Sequence, residues 1–196
     1  MNYDRLTRFL HLLIACGITI QMALSLVMIH PKPDREANFF YEIHEILGVA
    51  LLGVLVAHWA WSMVRRGTTP AGHLFPWFSR KRLQAIKVDA RSYVEHLIRF
   101  SLPAAAAPSP LAGAIQGIGL LIATLLASSG VIIFTYAIEG QKMVGWLHMV
   151  KEVHEAFAPI LWGYLVLHVG VVMLHQLAGH GVVEPMTNPL RKYPLA

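Results

Sequence analysis

Charge is what this chain has least of: only 14% of its 196 residues are Asp, Glu, Lys or Arg, against 56% that are hydrophobic. That balance excludes an ordinary soluble domain, in which about a quarter of the residues are charged. Cysteine is nearly absent. The single Cys16 rules out a disulfide within the chain and any C-x-x-C-H thioether attachment. Alternation of polar and apolar residues is missing too: the apolar residues come in unbroken runs, which excludes a strand barrel. Inside those runs there are no mid-depth carboxylates, and the one thiol, Cys16, stands alone, so the clustered ligands that a zinc or copper transport path requires are missing.

Four runs are long enough to cross a hydrocarbon core about 30 Å thick, which takes roughly 20 helical residues. They cover about 6–29, 41–64, 112–138 and 154–178, and predict a single all-α integral membrane domain, a four-transmembrane-helix bundle spanning 1–196. The stretch "ALS" at Ala23–Ser25 resembles a signal cleavage site, but the apolar run continues to Ile29, as expected of a span. Short joints, "HPKPDREANFF" and "EGQKMVGWLHMVKEV", pair the spans into two hairpins.

The basic residues are unevenly placed. Twelve of the 16 fall at the amino terminus, in 65–111 or in the tail, leaving Lys32, Arg35, Lys142 and Lys151 in the two joints. Cytoplasmic loops carry the excess of Lys and Arg, so both termini and segment 65–111 are expected in the cytoplasm, and the joints outside. The net charge of +5 then reflects topology, and nucleic acid is not an implied partner. Within the basic segment, Leu83, Ile86, Ala90, Tyr93, Leu97 and Phe100 recur at three- and four-residue steps. They predict an amphipathic helix over 80–100 lying on the inner membrane surface. "GAIQG" at Gly113–Gly117 matches a small-residue packing motif and needs no function.

Ionisable side chains are expensive in lipid and need a reason. "IHEILGVALLGVLVAH" (Ile43–His58) and "VHEAFAPILWGYLVLH" (Val153–His168) each carry histidines fourteen residues apart. In a helix that interval advances about 21 Å and returns to within about 40° of the starting face. Two levels of histidine result: His44 and His154 near the outer leaflet, and His58, His168 and His11 near the inner. A proton relay has no need of this repeated interval. A pair of haems stacked through a bundle does, because each iron takes two axial imidazoles from opposite sides, and Gly17, Gly48, Gly53, Gly163 and Gly170 offer small faces for the rings. His30, His73, His96, His148 and His180 read as polar surface, and His175 as a residue reaching to the interface.

"DRLTRFLH", "IHEILG" and "VHEAFAPILWGYLVLH" together resemble the bacterial cytochrome b561 and nickel-iron hydrogenase cytochrome b family, across all four spans. The resemblance implies a multi-pass inner-membrane protein binding two b haems and passing electrons between a periplasmic side and the quinone pool. Carried over by position, it makes His44 and His154 ligands of the outer haem and His11 and His168 ligands of the inner one. Relatives carry Arg near His58, and His58 satisfies the spacing as well as His11 does, so it remains the second choice for the inner haem. The implied partners are lipid, quinone, and a dehydrogenase or hydrogenase redox subunit that does the primary chemistry. A free-standing quinone-linked oxidoreductase, such as a superoxide oxidase, is the alternative.

Overall fold

The computed structural model describes residues 3–65, 72, 74–103, 109–138 and 141–188. The expected basic residues Arg66, Arg191 and Lys192, His73, and the alanines of the linker at 104–107 lie outside them. The described residues are helical, with no strand of a sheet among them. Among the described residues four helices are long and apolar enough to span a membrane: α1 (Arg5–Val27), α2 (Phe39–Val64), α4 (Pro110–Tyr136) and α5 (Gly145–Leu177). Between α2 and α4 come a 3-10 turn at Pro76–Phe78 and helix α3 (Arg80–Ile98); α6 (Glu184–Thr187) is a single turn.

The chain falls into two compact units, whose boundaries cut the long helices. The hairpin unit comprises Leu13–Ala57 and Leu121–Leu165 and contains both short joints. Asn38 closes the first joint. Its amide nitrogen donates to the Val27 carbonyl at 3.1 Å, and its Oδ1 accepts from Ile29 N at 2.9 Å and Tyr41 N at 3.1 Å. The Tyr41 bond is an N-cap, satisfying one of the four free N–H groups that open α2. A core of Met22, Leu126 and Leu161, with Ile18, Ile122 and Phe157 against it, joins α1, α4 and α5. Gly17 lets α1 approach α2: a Cβ there would stand 2.9 Å from Leu51 Cδ1.

The terminal unit comprises Met1–Leu12, His58–Leu120 and Val166–Ala196. Asp4 caps α1, its carboxylate accepting Thr7 N at 2.8 Å and Thr7 Oγ1 at 2.6 Å. Ser79 caps α3, and α4 opens with Pro at its first position, where the missing N–H costs nothing. Asp89 of α3 secures that opening, accepting Ser109 Oγ at 2.6 Å and Leu111 N at 3.0 Å. Gly117, from the small-residue motif, is where the loop before the 3-10 turn meets α4. A Cβ there would fall 2.1 Å from the Leu74 carbonyl oxygen, so no larger residue fits without moving backbone.

Helix α3 ends at Ile98, two residues short of the expected limit. Phe100 turns into the left-handed region (φ 51°), and Ser101 N donates back to the His96 carbonyl at 2.9 Å. Helix α5 differs more, starting at Gly145 where an apolar span was expected only from 154. The extra turns are largely exposed, mixing apolar Trp146 and Met149 with Lys151–Glu155 (2.6 Å) and His148–Glu152 (3.8 Å) pairs at helical spacing. Hydropathy marks the part of a helix that suits lipid; these turns continue the helix beyond it.

Candidate cofactor sites

The hairpin unit encloses a cavity of about 540 Å³. Its walls are mainly apolar, with Ile18, Met22, Leu51, Ala123, Leu126 and Leu161 among them; Glu42, Glu45, Lys151 and Glu155 also line it, as do His44 and His154. The two imidazoles are within electrostatic reach of each other. The Leu126 carbonyl accepts from the His154 ring, and Ser129 favours the same tautomer. Its hydroxyl has one proton, spent on the Leu125 and Leu126 carbonyls at 2.8 and 3.0 Å, so toward His154 Nδ1, 2.9 Å away, the oxygen accepts. With its proton on Nδ1, His154 keeps the Nε2 lone pair for a metal. His44 is the less committed ring: its Nδ1 is buried with no hydrogen-bond partner among the described residues, while its carbonyl accepts from Gln21 Nε2 at 2.7 Å.

Among the glycines expected to give small faces, Gly48 lines this cavity, whereas a Cβ at Gly53, Gly163 or Gly170 would meet nothing within 4 Å. The glycine that matters most beside a histidine is Gly130 on α4, where a Cβ would stand 3.2 Å from His154 Cε1. His30, expected as plain surface, also lines the cavity and packs edge-on to Tyr41, their rings 5.5 Å apart. Size, apolar walls, two imidazoles and a glycine cradle fit a flat macrocycle with axial nitrogen ligands.

The terminal unit gathers the remaining candidates. His11 is within electrostatic reach of His168, and His58 within reach of His11 and Arg65. His58 is buried (7% exposed), and its Nδ1 lies 3.5 Å from Ser62 Oγ, too far for a strong bond. His11 Nδ1 is buried without a hydrogen-bond partner among the described residues. His175 does not reach out to an interface but is 4% exposed. Its Nδ1 is 2.8 Å from His180 Nδ1, and its Nε2 is 3.4 Å from the Tyr93 hydroxyl. Sequence reasoning missed this trio because its members come from α3, α5 and a loop, with no common spacing. Burial, aided by the Asp89 carboxylate, raises the Tyr93 phenol above its ordinary pKa and keeps it protonated.

Around the first turn of α1, Trp61 Nε1 donates to Asp4 Oδ1 at 3.0 Å and to Thr7 Oγ1 at 3.1 Å, and Arg65 Nη1 donates to Thr7 Oγ1 at 2.9 Å. Burial opposes the Asp4 charge, but the bonds from Thr7 and Trp61 and the Arg65 cation outweigh it and hold the carboxyl below its ordinary pKa. Arg8, 3% exposed, donates to the Tyr3 carbonyl and, at 2.9 Å, to that of Asn188.

Apolar spanning helices with paired histidines, two of them lining cofactor-sized space, define a membrane-embedded haem protein. The chain belongs to the prokaryotic cytochrome b561 family, whose model matches residues 2–189. It is therefore a multi-pass membrane b-type cytochrome of electron transfer. No curated protein and no solved structure matches the chain.

Proposed function

We propose that the protein holds two b haems and carries electrons across the inner membrane, between a periplasmic or partner redox subunit and the quinone pool. Bound haem b supplies a one-electron carrier at each site; the chain sets where each sits and what surrounds it. The observation that carries the reading is the hairpin-unit cavity, which combines His44, His154 with Ser129 against its Nδ1, and a mainly apolar wall. His44 and His154 hold the haem there. In the terminal unit His11 and His168 hold the second, supported by their electrostatic proximity. His58, whose charge neighbours are Arg65 and His11, borders that site.

Quinone chemistry exchanges protons as well as electrons, and the hydrogen-bonded pair His175 and His180, with the Tyr93 hydroxyl 3.4 Å from His175, is suited to hold and pass them. The excess of basic residues puts both termini and α3 on the cytoplasmic side. Val94 (54% exposed), Leu97 (57%) and Ile98 (73%) on α3 suit the membrane surface there. Chemistry on a primary substrate belongs to a dehydrogenase or hydrogenase subunit.

Haem quantification and reduced-minus-oxidised spectra on His11→Ala and His58→Ala proteins test the assignment. The expected result is about two haems per wild-type chain, one in His11→Ala and two in His58→Ala. Loss confined to His58→Ala would transfer the second site to α2 and α5. Absence of b-type bands from the wild type would end the haem reading. Quinone-analogue reduction at enzymatic rates by the purified chain, given only a diffusible donor, would favour the free-standing superoxide-oxidase type of enzyme over a subunit.

A further inference from the structure

We propose that Arg65 is the seat for a carboxylate of the cofactor held in the terminal unit, a side-chain propionate of haem b. The inference rests on the reading that this unit binds a haem. Arg65 follows directly on α2, and His58, Ser62 and Arg65 fall at four- and three-residue steps, on one helical face. Two of them are buried, His58 at 7% and Ser62 at 2% exposure, and the Arg65 charge is felt at His58. The guanidinium reaches the histidine cluster's neighbourhood from the side of that face.

Its own hydrogen bonding is incomplete. Nη1 donates to Thr7 Oγ1 at 2.9 Å, but Nε is buried with no partner, and no carboxylate lies within 4 Å of the group among the described residues. Asp4, the nearest acid in the network, is committed: Thr7 N, Thr7 Oγ1 and Trp61 Nε1 already donate to it. Thr7 Oγ1 is spent as well, donating to Asp4 and accepting from Trp61 and Arg65. Asp4, Thr7 and Trp61 therefore aim Arg65, and Asp4 offsets part of its charge from a distance, but none of them occupies its Nε. A partly buried cation with an unspent N–H is costly until an anion joins it, and arginine's planar fork suits a carboxylate or a phosphate. Haem b brings carboxylates on its rim, at a remove from the iron; a phospholipid headgroup would bring a phosphate. The burial of Nε and the company of His58 favour the former.

The test is potentiometric titration of the two b-type components in purified holo-protein, in anionic and in zwitterionic lipid nanodiscs, for wild type, Arg65→Gln and Arg65→Lys. Removing a positive charge beside a haem favours its ferric state. Arg65→Gln should therefore move one component to lower potential and leave the other in place, and Arg65→Lys should remain near wild type in both lipids. Loss of one haem in Arg65→Gln, with retention in Arg65→Lys, supports the proposal equally. Unchanged potentials in Arg65→Gln overturn it, and if the wild type alone then responds to anionic lipid, the anion is a headgroup. Haem loss in both variants also overturns it, by showing a purely structural role. A wild type without two b-type components removes the diheme reading itself, an outcome visible before any variant is made.

Discussion

One hydroxyl helps to determine which nitrogen His154 presents to the cavity. Ser129→Ala removes one of the two acceptors beside Nδ1, leaving only the Leu126 carbonyl, and so loosens the ring. Outer partners of metal-bound histidines typically account for 10–100-fold in affinity. Haem retention by Ser129→Ala, measured by transfer to apomyoglobin, should therefore fall by about 10-fold or more; an unchanged transfer rate would show that Ser129 does not orient the ligand. Gly130 acts by absence. The 3.2 Å left to a Cβ already presses on His154 Cε1, and the branches of valine need more room still. Gly130→Val should reduce haem content toward one per chain while the protein continues to insert, whereas retention of both haems would show that His154 has slack. The histidines were legible because their fourteen-residue interval repeats on two helices. Ser129 and Gly130 were not, since small residues are ordinary on any membrane helix and only α4's packing gives these two a meaning.

Helices follow from the same physics with different legibility. The four spans were visible in hydropathy because lipid leaves no alternative to a continuous apolar helix. The opening turns of α5 were not, because i,i+4 ion pairs such as Lys151–Glu155 stabilise helix without leaving an apolar signature. Caps join distant parts of the chain and are hidden from a linear reading; Asp89, on α3, secures the start of α4. Asp89→Ala should lower the thermal unfolding temperature of the detergent-solubilised protein, at a cost of about 1–2 kcal/mol. No change would mean that Pro110 and Ser109 suffice. Asp4 adds a pH dependence. Its folded-state pKa lies below the unfolded value of about 4, so its stabilisation is fully present above pH 4 and is lost as pH falls through the folded value. Asp4→Asn should therefore be less stable than wild type at pH 6, with the difference shrinking in acid. A constant difference between pH 6 and pH 3 would show that the carboxylate's charge is not what matters.

For the whole molecule, the distribution of charge carries more information than its sum. The joints and adjoining helix ends hold seven acidic residues against Lys32, Arg35, Lys142 and Lys151, while the other 12 basic residues flank the opposite ends of the spans. Lys and Arg next to a span resist translocation, so this asymmetry selects one of the two possible insertions. In the proposed insertion, with the termini inside, His44 and His154 would lie toward the periplasm, and Tyr93, His175 and His180 toward the cytoplasm. Cys16 is the chain's one thiol, so its replacement by Ser gives a background in which single cysteines report topology. Asp34 in the first joint and Lys87 on α3 are exposed, as is Thr187 in α6. In intact cells a membrane-impermeant maleimide should label Asp34→Cys and spare Lys87→Cys and Thr187→Cys, both of which should label once the inner membrane is permeabilised. The reverse pattern would overturn the proposed insertion and place Tyr93, His175 and His180 in the periplasm. Labelling of Lys87→Cys alone in intact cells would instead detach α3 from the cytoplasmic face while leaving the termini inside.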